Sequence, residues 1–499
     1  VVFTAAVATL APGAGTPTGT VTFFLGDGSP AVTAAVSDGV ATIAHTYQQV
    51  SGSPFTVTAV YNGDTGFVPS TGTDTQTVGR ADTTTVLTSS PDPSSVGQVV
   101  SFTAAVAPVA PGSGTPAGTV TFDFGDGSPG RSALLVGGVA TVEHTYTGTV
   151  GSPYTAVATY DGDADFAPST GTEPQTVNRA ATVTTVTTAP DPSATGQAVV
   201  ITATVVPDRA EAGTPPGTVT FVFGDGTPSV TAPLADGVAT VTHTYPSADG
   251  SPFTVSAVYG GSTDFTSSTG TDTHTLVPAT TTTSVTSSPD PSVTGQPVTF
   301  TATVTADAPG SGTPTGTLTF VFGDGSAPVT VPLSGGTATV THAYDTAAGS
   351  PFTVTAAYGG AIGYASSTGT DTQVVTQAST VTSVVSSPDP SVAGQEVSFT
   401  ATVTPQAPGS GAPTGNVVFD FGDGSVPKTA AVSGGAATVT HAYAGTSGSP
   451  YTVTATYEGD TGFAPSTGSD THAVDHAATA TTVVSAPDPS VAGESVTVT

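Results

Sequence analysis

The chain has 499 residues, and its 36 acidic residues against five Lys and Arg give a formal net charge of −31. It contains no cysteine, tryptophan or methionine, so neither disulfides nor thiolate metal sites can stabilise the fold. A negative charge of this size repels nucleic acid and anionic membranes, and we expect neither as a partner.

The sequence repeats itself with a period of 99 residues. A period of about 100 residues fits a self-contained domain better than one unit of a solenoid. The pattern predicts a truncated repeat at residues 1–80, four complete repeats at 81–179, 180–278, 279–377 and 378–476, and the start of a further repeat at 477–499. Both ends fall inside the same predicted strand, so we expect this chain to be a segment of a longer protein.

Within each repeat, apolar and polar residues alternate with a period of two, as residues 279–377 illustrate. A Thr-rich opening strand is predicted near residues 281–286 and a final strand near 370–375. The inward faces of the strands between them carry Val298, Phe300, Ala302 and Val304; Leu318, Phe320 and Phe322; Ala338, Val340, His342 and Tyr344; and Phe352, Val354, Ala356 and Tyr358. Alternation of this kind, with no helical periodicity, predicts about seven strands.

About seven short strands separated by turn residues favour a two-sheet sandwich, with an up-and-down barrel as the alternative. The junctions between repeats, such as residues 177–180 and 375–378, contain no Gly/Ser tract. We therefore do not expect flexible-coil linkers between the repeats.

A Gly-Asp-Gly turn and a His-x-Tyr element 18 residues later recur in every repeat. A single carboxylate falls short of the about six to eight oxygen ligands that calcium requires, whereas Asp often accepts hydrogen bonds from its own turn. We hypothesise a structural clasp in which the His holds the turn through its Asp and the Tyr closes the end of the sandwich. The clasp residues of the complete repeats are Asp126, His144 and Tyr146; Asp225, His243 and Tyr245; Asp324, His342 and Tyr344; and Asp423, His441 and Tyr443.

The loop after the sixth predicted strand of the second repeat is the most acidic segment. Asp161, Asp163 and Asp165 have the i, i+2, i+4 spacing that opens an EF-hand loop, which makes them candidate Ca²⁺ ligands. The sixth position is Phe166 where an EF-hand has glycine, no glutamate stands at the twelfth, and residues 359–363 of the fourth repeat contain no acid. A solvated loop is therefore the favoured interpretation, and we expect no cofactor for the array as a whole.

Several segments together carry a family resemblance. Residues 281–292 end in a Pro-Asp-Pro-Ser turn and lead into residues 295–304. Residues 312–320, and residues 457–463 near the end of the fifth repeat, are the other segments that carry the resemblance. These segments resemble the bacterial Ig-like repeat domains found in tandem on large secreted or cell-surface proteins. The middle of each repeat, such as residues 322–326 with 342–344, is similar to PKD-type domains. The resemblance implies an all-β fold, a tandem array of Ig-like (Greek-key) β-sandwich domains.

The resemblance also implies a function: a non-catalytic extracellular stalk or spacer that presents an adhesive or effector domain outside this sequence. The alternative is a multivalent adhesin array that grips a glycan or protein weakly at each repeat, with Ca²⁺ as the candidate stiffening ion. An ancillary module of a secreted hydrolase is a third interpretation. The ring residues that bear on these alternatives, as a plug over the sandwich end or as a sugar platform, are Phe67, Phe166, Phe265, Tyr364 and Phe463.

The sequence contains no P-loop, dinucleotide fingerprint or nucleophile elbow, and no membrane span is visible in it. We therefore expect no enzyme site and no membrane insertion in this segment. Neighbouring repeats of the same chain are the expected partners.

Overall fold

The computed structural model describes residues 1–499, and its only helical element is a three-residue 3-10 turn, Ala210–Ala212. The first repeat contains β1 (Val2–Ala6), β2 (Thr20–Phe24), β3 (Val32–Ala35), β4 (Val40–Ala44), β5 (Phe55–Tyr61) and β6 (Ser70–Gln76). The second contains β7 (Thr83–Ser90), β8 (Ser94–Ser95), β9 (Val99–Pro108), β10 (Thr119–Asp123), β11 (Arg131–Leu134), β12 (Val139–Thr145), β13 (Tyr154–Tyr160), β14 (Ser169–Gln175) and β15 (Val177–Asn178).

The later repeats follow the same order of strands. The third contains β16 (Thr182–Ala189), β17 (Ser193–Ala194), β18 (Ala198–Pro207), β19 (Thr218–Val222), β20 (Val230–Pro233), β21 (Val238–Thr244), β22 (Phe253–Tyr259), β23 (Ser268–His274) and β24 (Leu276–Val277). The fourth contains β25 (Thr281–Ser288), β26 (Ser292–Val293), β27 (Pro297–Ala306), β28 (Thr317–Val321), β29 (Val329–Pro332), β30 (Thr337–Ala343), β31 (Phe352–Tyr358), β32 (Ser367–Gln373) and β33 (Val375–Thr376). The fifth contains β34 (Thr380–Ser387), β35 (Ser391–Val392), β36 (Glu396–Pro405), β37 (Asn416–Asp420), β38 (Lys428–Ala431), β39 (Ala436–Ala442), β40 (Tyr451–Tyr457), β41 (Ser466–His472) and β42 (Val474–Asp475), and β43 (Ser485–Ala486) and β44 (Thr497–Val498) follow it.

Two sheets form each complete sandwich. In the second repeat a three-stranded sheet has the order β12-β9-β7 and a four-stranded sheet the order β11-β10-β13-β14. The chain crosses between the sheets after β9, after β11 and after β12, which is the Greek-key connection of Ig-like sandwiches. The fourth and fifth repeats have the same orders. The predicted sandwich is confirmed, and the barrel alternative is wrong.

The alternation in the sequence builds the core between the two sheets. In the fourth repeat Val298, Phe300, Ala302 and Val304 are at most 2% exposed, while the threonines between them lie on the outer face of β27. Burying one Val or Phe side chain contributes about 1.5–3 kcal/mol. Valine and threonine dominate these strands because β-branched side chains pack well on a pleated surface.

The last predicted strand, near residues 370–375, is two strands in the structure. The antiparallel strand β32 ends at Gln373, and β33 begins at Val375 as a parallel partner of β26. Between them, the backbone NH of Val374 donates to Asp290 Oδ1 at 2.9 Å and its carbonyl accepts from the Ser292 NH. The chain thus changes partner at Val374. The short parallel pair raises the strands per complete repeat from the about seven expected to nine.

The structure contains two compact units. One comprises Val1–Thr188, Val200–Thr242 and Phe253–Thr273, and so holds the first two repeats and much of the third. The other comprises Ala189–Val199, His243–Pro252 and His274–Thr499, which includes the fourth and fifth repeats. No helix in the structure has the length and apolarity that a membrane crossing requires.

Candidate functional site

The clasp residues meet at one end of each sandwich. In the fourth repeat, Asp324 Oδ1 accepts hydrogen bonds from the Ser326 NH at 3.0 Å and the Ser326 hydroxyl at 2.6 Å. His342 Nε2 lies 2.7 Å from the other carboxylate oxygen, Oδ2. Asp324 follows β28 of the four-stranded sheet and His342 lies on β30 of the three-stranded sheet. The contact therefore joins the two sheets.

The turn can reach this position because Gly323 precedes the aspartate. Its φ is +84°, and a Cβ placed on it would lie 2.6 Å from the carbonyl oxygen of Thr353. A side chain here would therefore suffer both backbone strain and a clash with the neighbouring strand β31.

Aromatic rings hold the imidazole of the clasp on two sides. The Phe322 ring stacks on His342 with centroids 4.0 Å apart and 6° between the planes, and Tyr344 meets it edge-on at 4.8 Å. Tyr344 is 1% exposed, and its hydroxyl donates to the carbonyl of Phe322 at 3.1 Å. The imidazole is thus oriented by packing as well as by the carboxylate. The Ser326 hydroxyl bonds the carboxylate and not the imidazole, so no nucleophile–base contact is made here.

The same contact recurs along the chain. The His Nε2 to Asp Oδ2 distances are 2.7 Å for His45 and Asp27, 2.7 Å for His144 and Asp126, and 2.8 Å for His441 and Asp423. Tyr146 and Tyr443 donate to the carbonyls of Phe124 and Phe421 as Tyr344 does to Phe322. Asp225, His243 and Tyr245 hold the corresponding positions of the third repeat. The structure thus brings together the predicted Asp and His of the first, second, fourth and fifth repeats.

Hydrogen bonding keeps the clasp carboxylates ionised. Burial alone would raise the pKa of Asp27, but hydrogen bonds from Ser29 and His45 outweigh it and lower the pKa to about 2. The same opposition of burial and hydrogen bonds lowers the pKa of Asp126, Asp324 and Asp423. The charged form that accepts these bonds is therefore the stable one at neutral pH.

The three candidate metal ligands of the second repeat have different surroundings: two accept hydrogen bonds from different backbone NH groups, and the third is exposed. Asp163 accepts the backbone NH groups of Asp165 and Phe166 at 2.8 Å each and that of Ala117 at 2.9 Å. Asp165 Oδ1 accepts the NH of Val50, which belongs to the preceding repeat, at 2.6 Å, and Asp161 is exposed. No group of three or more His, Cys, Asp or Glu side chains is placed to hold a metal ion. Calcium binding by this loop stays a prediction.

Asp163 is one of several carboxylates outside the clasp that accept backbone NH groups. Burial alone would raise the pKa of Asp163, but its three NH donors outweigh this effect and lower the pKa. The equivalent Asp64 accepts the NH groups of Thr18 and Gly66. The aspartates of the Pro-Asp-Pro-Ser turn cap residues 84 positions later, in the pairs Asp92 and Thr176, Asp191 and Thr275, Asp290 and Val374, and Asp389 and Ala473. These aspartates therefore stabilise the loops and turns whose backbone NH groups they accept.

The ring residues of the acidic-loop position are mostly buried. Phe166, Phe265, Tyr364 and Phe463 are 7%, 5%, 8% and 4% exposed, and Phe67 is half-buried. A ring that stacks on a sugar must be open to solvent, so these residues plug the sandwich and do not form a platform.

A buried polar position at the end of the strand before each junction was missed from the sequence. In the fifth repeat it is His472, fully buried, with Nε2 2.8 Å from Ser391 Oγ and Nδ1 3.3 Å from Asp389 Oδ1. In the fourth repeat it is Gln373, whose Nε2 lies 3.2 Å from Ser292 Oγ. The Ser-His-Asp order is reminiscent of a hydrolase, but Ser391 is 1% exposed and out of reach of a substrate. Alternation through Gly369 and Asp371 could have placed residue 373 on the inward face.

Two-sheet Greek-key repeats of this kind define an array of Ig-like domains. The family model of bacterial Ig-like domains (group 3) matches residues 87–178, 186–277, 285–377 and 384–475. These segments make up more than half of the chain, which therefore belongs to this family. The likeness of the middle of each repeat to PKD-type domains stays a prediction. No curated protein matches the chain.

Two of the solved structures to which the chain is similar contain several Ig domains. One is a crystal structure of the N-terminal eight Ig domains of Down Syndrome Cell Adhesion Molecule (DSCAM), isoform 1.30.30. It is 14% identical, with 94% of this chain and 58% of that chain covered at a TM-score of 0.21. The other, Sidekick-1 immunoglobulin domains 1–5, is 10% identical, with 92% of each chain covered at a TM-score of 0.23. The chain thus spans little more than half of the first of these, and at such TM-scores neither carries an argument about function.

Proposed function

We propose that this chain is a non-catalytic extracellular stalk of a large bacterial secreted or cell-surface protein, holding an adhesive or effector domain that lies outside this sequence. Tandem Ig-like domains resemble the repeats of cell-adhesion and structural extracellular proteins. Since one fold hosts many functions, the proposal needs a feature of these particular repeats.

The observation that carries the proposal is the short parallel pairing of the first and last parts of each repeat. In the fourth repeat the NH groups of Ser292 and Thr294 donate to the carbonyls of Val374 and Thr376, both at 2.9 Å. The chain enters the repeat ahead of β26 and leaves it at the end of β33. Because the two strands run parallel, tension on the two ends slides them past each other, and the bonds must break together.

The same pairing occurs in all four complete repeats, as β8 with β15, β17 with β24, β26 with β33 and β35 with β42. A feature that resists tension in every repeat suits a spacer that bears load. Burial of the loop rings and the capping roles of the carboxylates also favour a structural role over a binding surface.

Single-molecule stretching of the full chain tests the proposal. We expect the complete repeats to unfold one at a time, at similar forces. In the fifth repeat the Ala393 NH donates to the carbonyl of Asp475 at 3.0 Å, so Ala393→Pro removes one donor of the parallel pair and should lower the force of one event. Val392→Pro is the matched control, because the Val392 NH donates to the Gln395 side chain and not to β42. Hydrogen exchange of β36 verifies that both variants fold. Equal rupture forces for the two variants would contradict a load-bearing pair.

The alternative, a multivalent adhesin array, predicts saturable binding of the full chain to immobilised cell-surface glycans or proteins, with avidity from the repeated sites. If the chain binds in this way and its repeats unfold without a distinct rupture force, the adhesin array is the better account of its function than the stalk. Repeating the stretching experiment with Ca²⁺ and then with a chelator tests stiffening by the ion, since the proposed stalk needs no metal.

A further inference from the structure

Neighbouring repeats touch at positions 115 residues apart. Within the unit that holds the fourth and fifth repeats, the Ser311 hydroxyl donates to the Gly196 carbonyl at 2.6 Å. One period later the Ser410 hydroxyl donates to the Gly295 carbonyl at 2.7 Å. The backbone NH groups of the two serines donate to the carbonyls of Thr195 and Thr294 at 3.1 and 3.3 Å. The recurrence shows that one type of contact is used at successive junctions.

The glycine of this contact receives the backbone of the next repeat. A Cβ on Gly196 would lie 2.5 Å from the carbonyl oxygen of Ser311, and a Cβ on Gly295 would overlap that of Ser410. In the other unit a Cβ on Gly97 would overlap the backbone nitrogen of Ala212. Any side chain at these glycines would push the next repeat away.

A second contact lies beside the first and varies in chemistry. In the unit that holds the first two repeats, Asp264 Oδ1 accepts the backbone NH and hydroxyl of Thr149 at 2.7 and 2.9 Å. In the fifth repeat the equivalent loop uses its backbone, since the Thr461 carbonyl accepts the NH of Ala347 at 3.2 Å. Two contact points restrict rotation about a short junction more than one point does.

We infer that each repeat carries a docking surface for the repeat that follows it, and that the array is held by docking and not by its linkers alone. The surface is the turn around the glycine, at residues 195–197 and 294–296. Its partner is another Ig-like repeat that presents a loop with a small residue, such as Ser311, Ser410 or Ala212. This goes beyond the stalk proposal, because an array of binding domains would dock in the same way.

Gly394 provides an internal control for this surface. It occupies the equivalent position of the fifth repeat with the same left-handed backbone, φ +80° against +73° for Gly295, but no atom lies within 4 Å of a Cβ placed on it. Replacing either glycine by alanine adds similar local strain. Only Gly295→Ala also adds a clash with a neighbouring repeat.

Pulsed electron spin resonance on the full chain tests the inference. The chain contains no cysteine, so Thr339→Cys and Thr438→Cys, at exposed positions of the fourth and fifth repeats, can be spin-labelled without background. We expect a narrow distance distribution, clear broadening with Gly295→Ala, and no broadening with Gly394→Ala. Ser410→Ala removes the hydroxyl bond without adding strain and should broaden the distribution less.

A parent distribution as wide as that of a free tether would overturn the inference, as would equal broadening by the two glycine variants. If Gly295→Ala does not fold, as judged by hydrogen exchange of β27, Ser410→Leu decides, because it places a large side chain at the exposed partner side of the same contact. An unchanged distribution in that variant overturns the docking surface. The stalk proposal is tested separately, because its stretching variants at residues 392 and 393 lie in the fifth repeat, where no atom lies within 4 Å of a Cβ placed on Gly394.

Discussion

The fourth and fifth repeats reach one fold through different polar side chains. Both have the same sheet orders and the same clasp distance within 0.1 Å, 2.7 Å for His342 and 2.8 Å for His441. Among the equivalent positions at which they differ, three bear on polar contacts: Gln373 and His472, Ala361 and Asp460, and Val329 and Lys428.

The differences show which positions the fold requires. Gln373 and His472 are both fully buried, and each forms a hydrogen bond with the serine that ends its Pro-Asp-Pro-Ser turn, Ser292 or Ser391. A buried polar position thus accepts any side chain that satisfies the same partner. The clasp positions, in contrast, hold the same Asp, His and Tyr in every repeat of this chain. We therefore expect the clasp to contribute most to stability.

The largest effect is expected from the clasp. His342→Ala and His441→Ala each leave a half-buried carboxylate without one partner and remove a stacked ring, at a cost of about 1–3 kcal/mol. Hydrogen exchange followed by mass spectrometry on the full chain resolves the two repeats. Thr341→Ala, at an exposed neighbouring position of β30, is the control. Unchanged stability in both His variants would mean that the clasp is incidental.

Next comes the loop after the sixth long strand. Asp460 accepts the NH groups of Thr414, Gly462 and Phe463 at 2.7 to 2.8 Å, so Asp460→Ala should destabilise the fifth repeat by about 1–2 kcal/mol. The fourth repeat already has Ala361, and Ala361→Asp should stabilise it by a smaller amount. Repeat-resolved hydrogen exchange measures both, and destabilisation by Ala361→Asp would contradict the capping role.

The Asp460 cap also predicts sensitivity to acid. Burial alone would raise the pKa of Asp460, but the NH and hydroxyl donors outweigh it and lower the pKa below 3.8. The stabilisation is therefore complete above pH 3.8 and is lost as the pH falls through the lower folded-state pKa. Thermal unfolding of the fifth repeat between neutral pH and pH 2 should lose this acid step in Asp460→Ala.

A smaller effect separates Gln373 from His472. Burial lowers the pKa of His472 from 6.5, although Asp389 and Asp470 oppose it. The unfolded chain then binds the proton first, so the fifth repeat loses stability as the pH falls below 6.5, by no more than about 1.4 kcal/mol per pH unit for one proton. His472→Gln should remove this slope in a pH series of thermal melts. Gln373→His should introduce it in the fourth repeat, and identical slopes in all variants would refute the explanation.

The smallest effect is expected at Lys428. Its Nζ donates to the carbonyl of Thr440 at 2.6 Å, but both groups are exposed. Water replaces such a bond readily, so Lys428→Ala should change stability by less than about 0.5 kcal/mol. Val329 holds this position in the fourth repeat without a donor. A loss above about 1 kcal/mol in repeat-resolved hydrogen exchange would show that this edge contact matters to the fifth repeat.

Local patterns in the sequence determined the strands, the sandwich and the inward faces. Val298 and Phe300 alternate with threonine, and this period of two belongs to the strand geometry itself. Gly323 likewise marks its turn, because the required φ is open to glycine at no steric cost. Family resemblance then supplied the Ig-like class that the family match confirmed.

Only the tertiary structure decided what the polar groups bind. Asp163 was a candidate Ca²⁺ ligand by its spacing from Asp161 and Asp165, and the structure shows which donors these carboxylates accept. Asp163 accepts the NH of Ala117, 46 residues away, and Asp165 accepts the NH of Val50, 115 residues away. The contact of Ser410 with Gly295 also spans 115 residues. No local pattern encodes such pairs, because a carboxylate or hydroxyl accepts any suitably placed donor or acceptor, and the packing of strands and repeats determines which one is near.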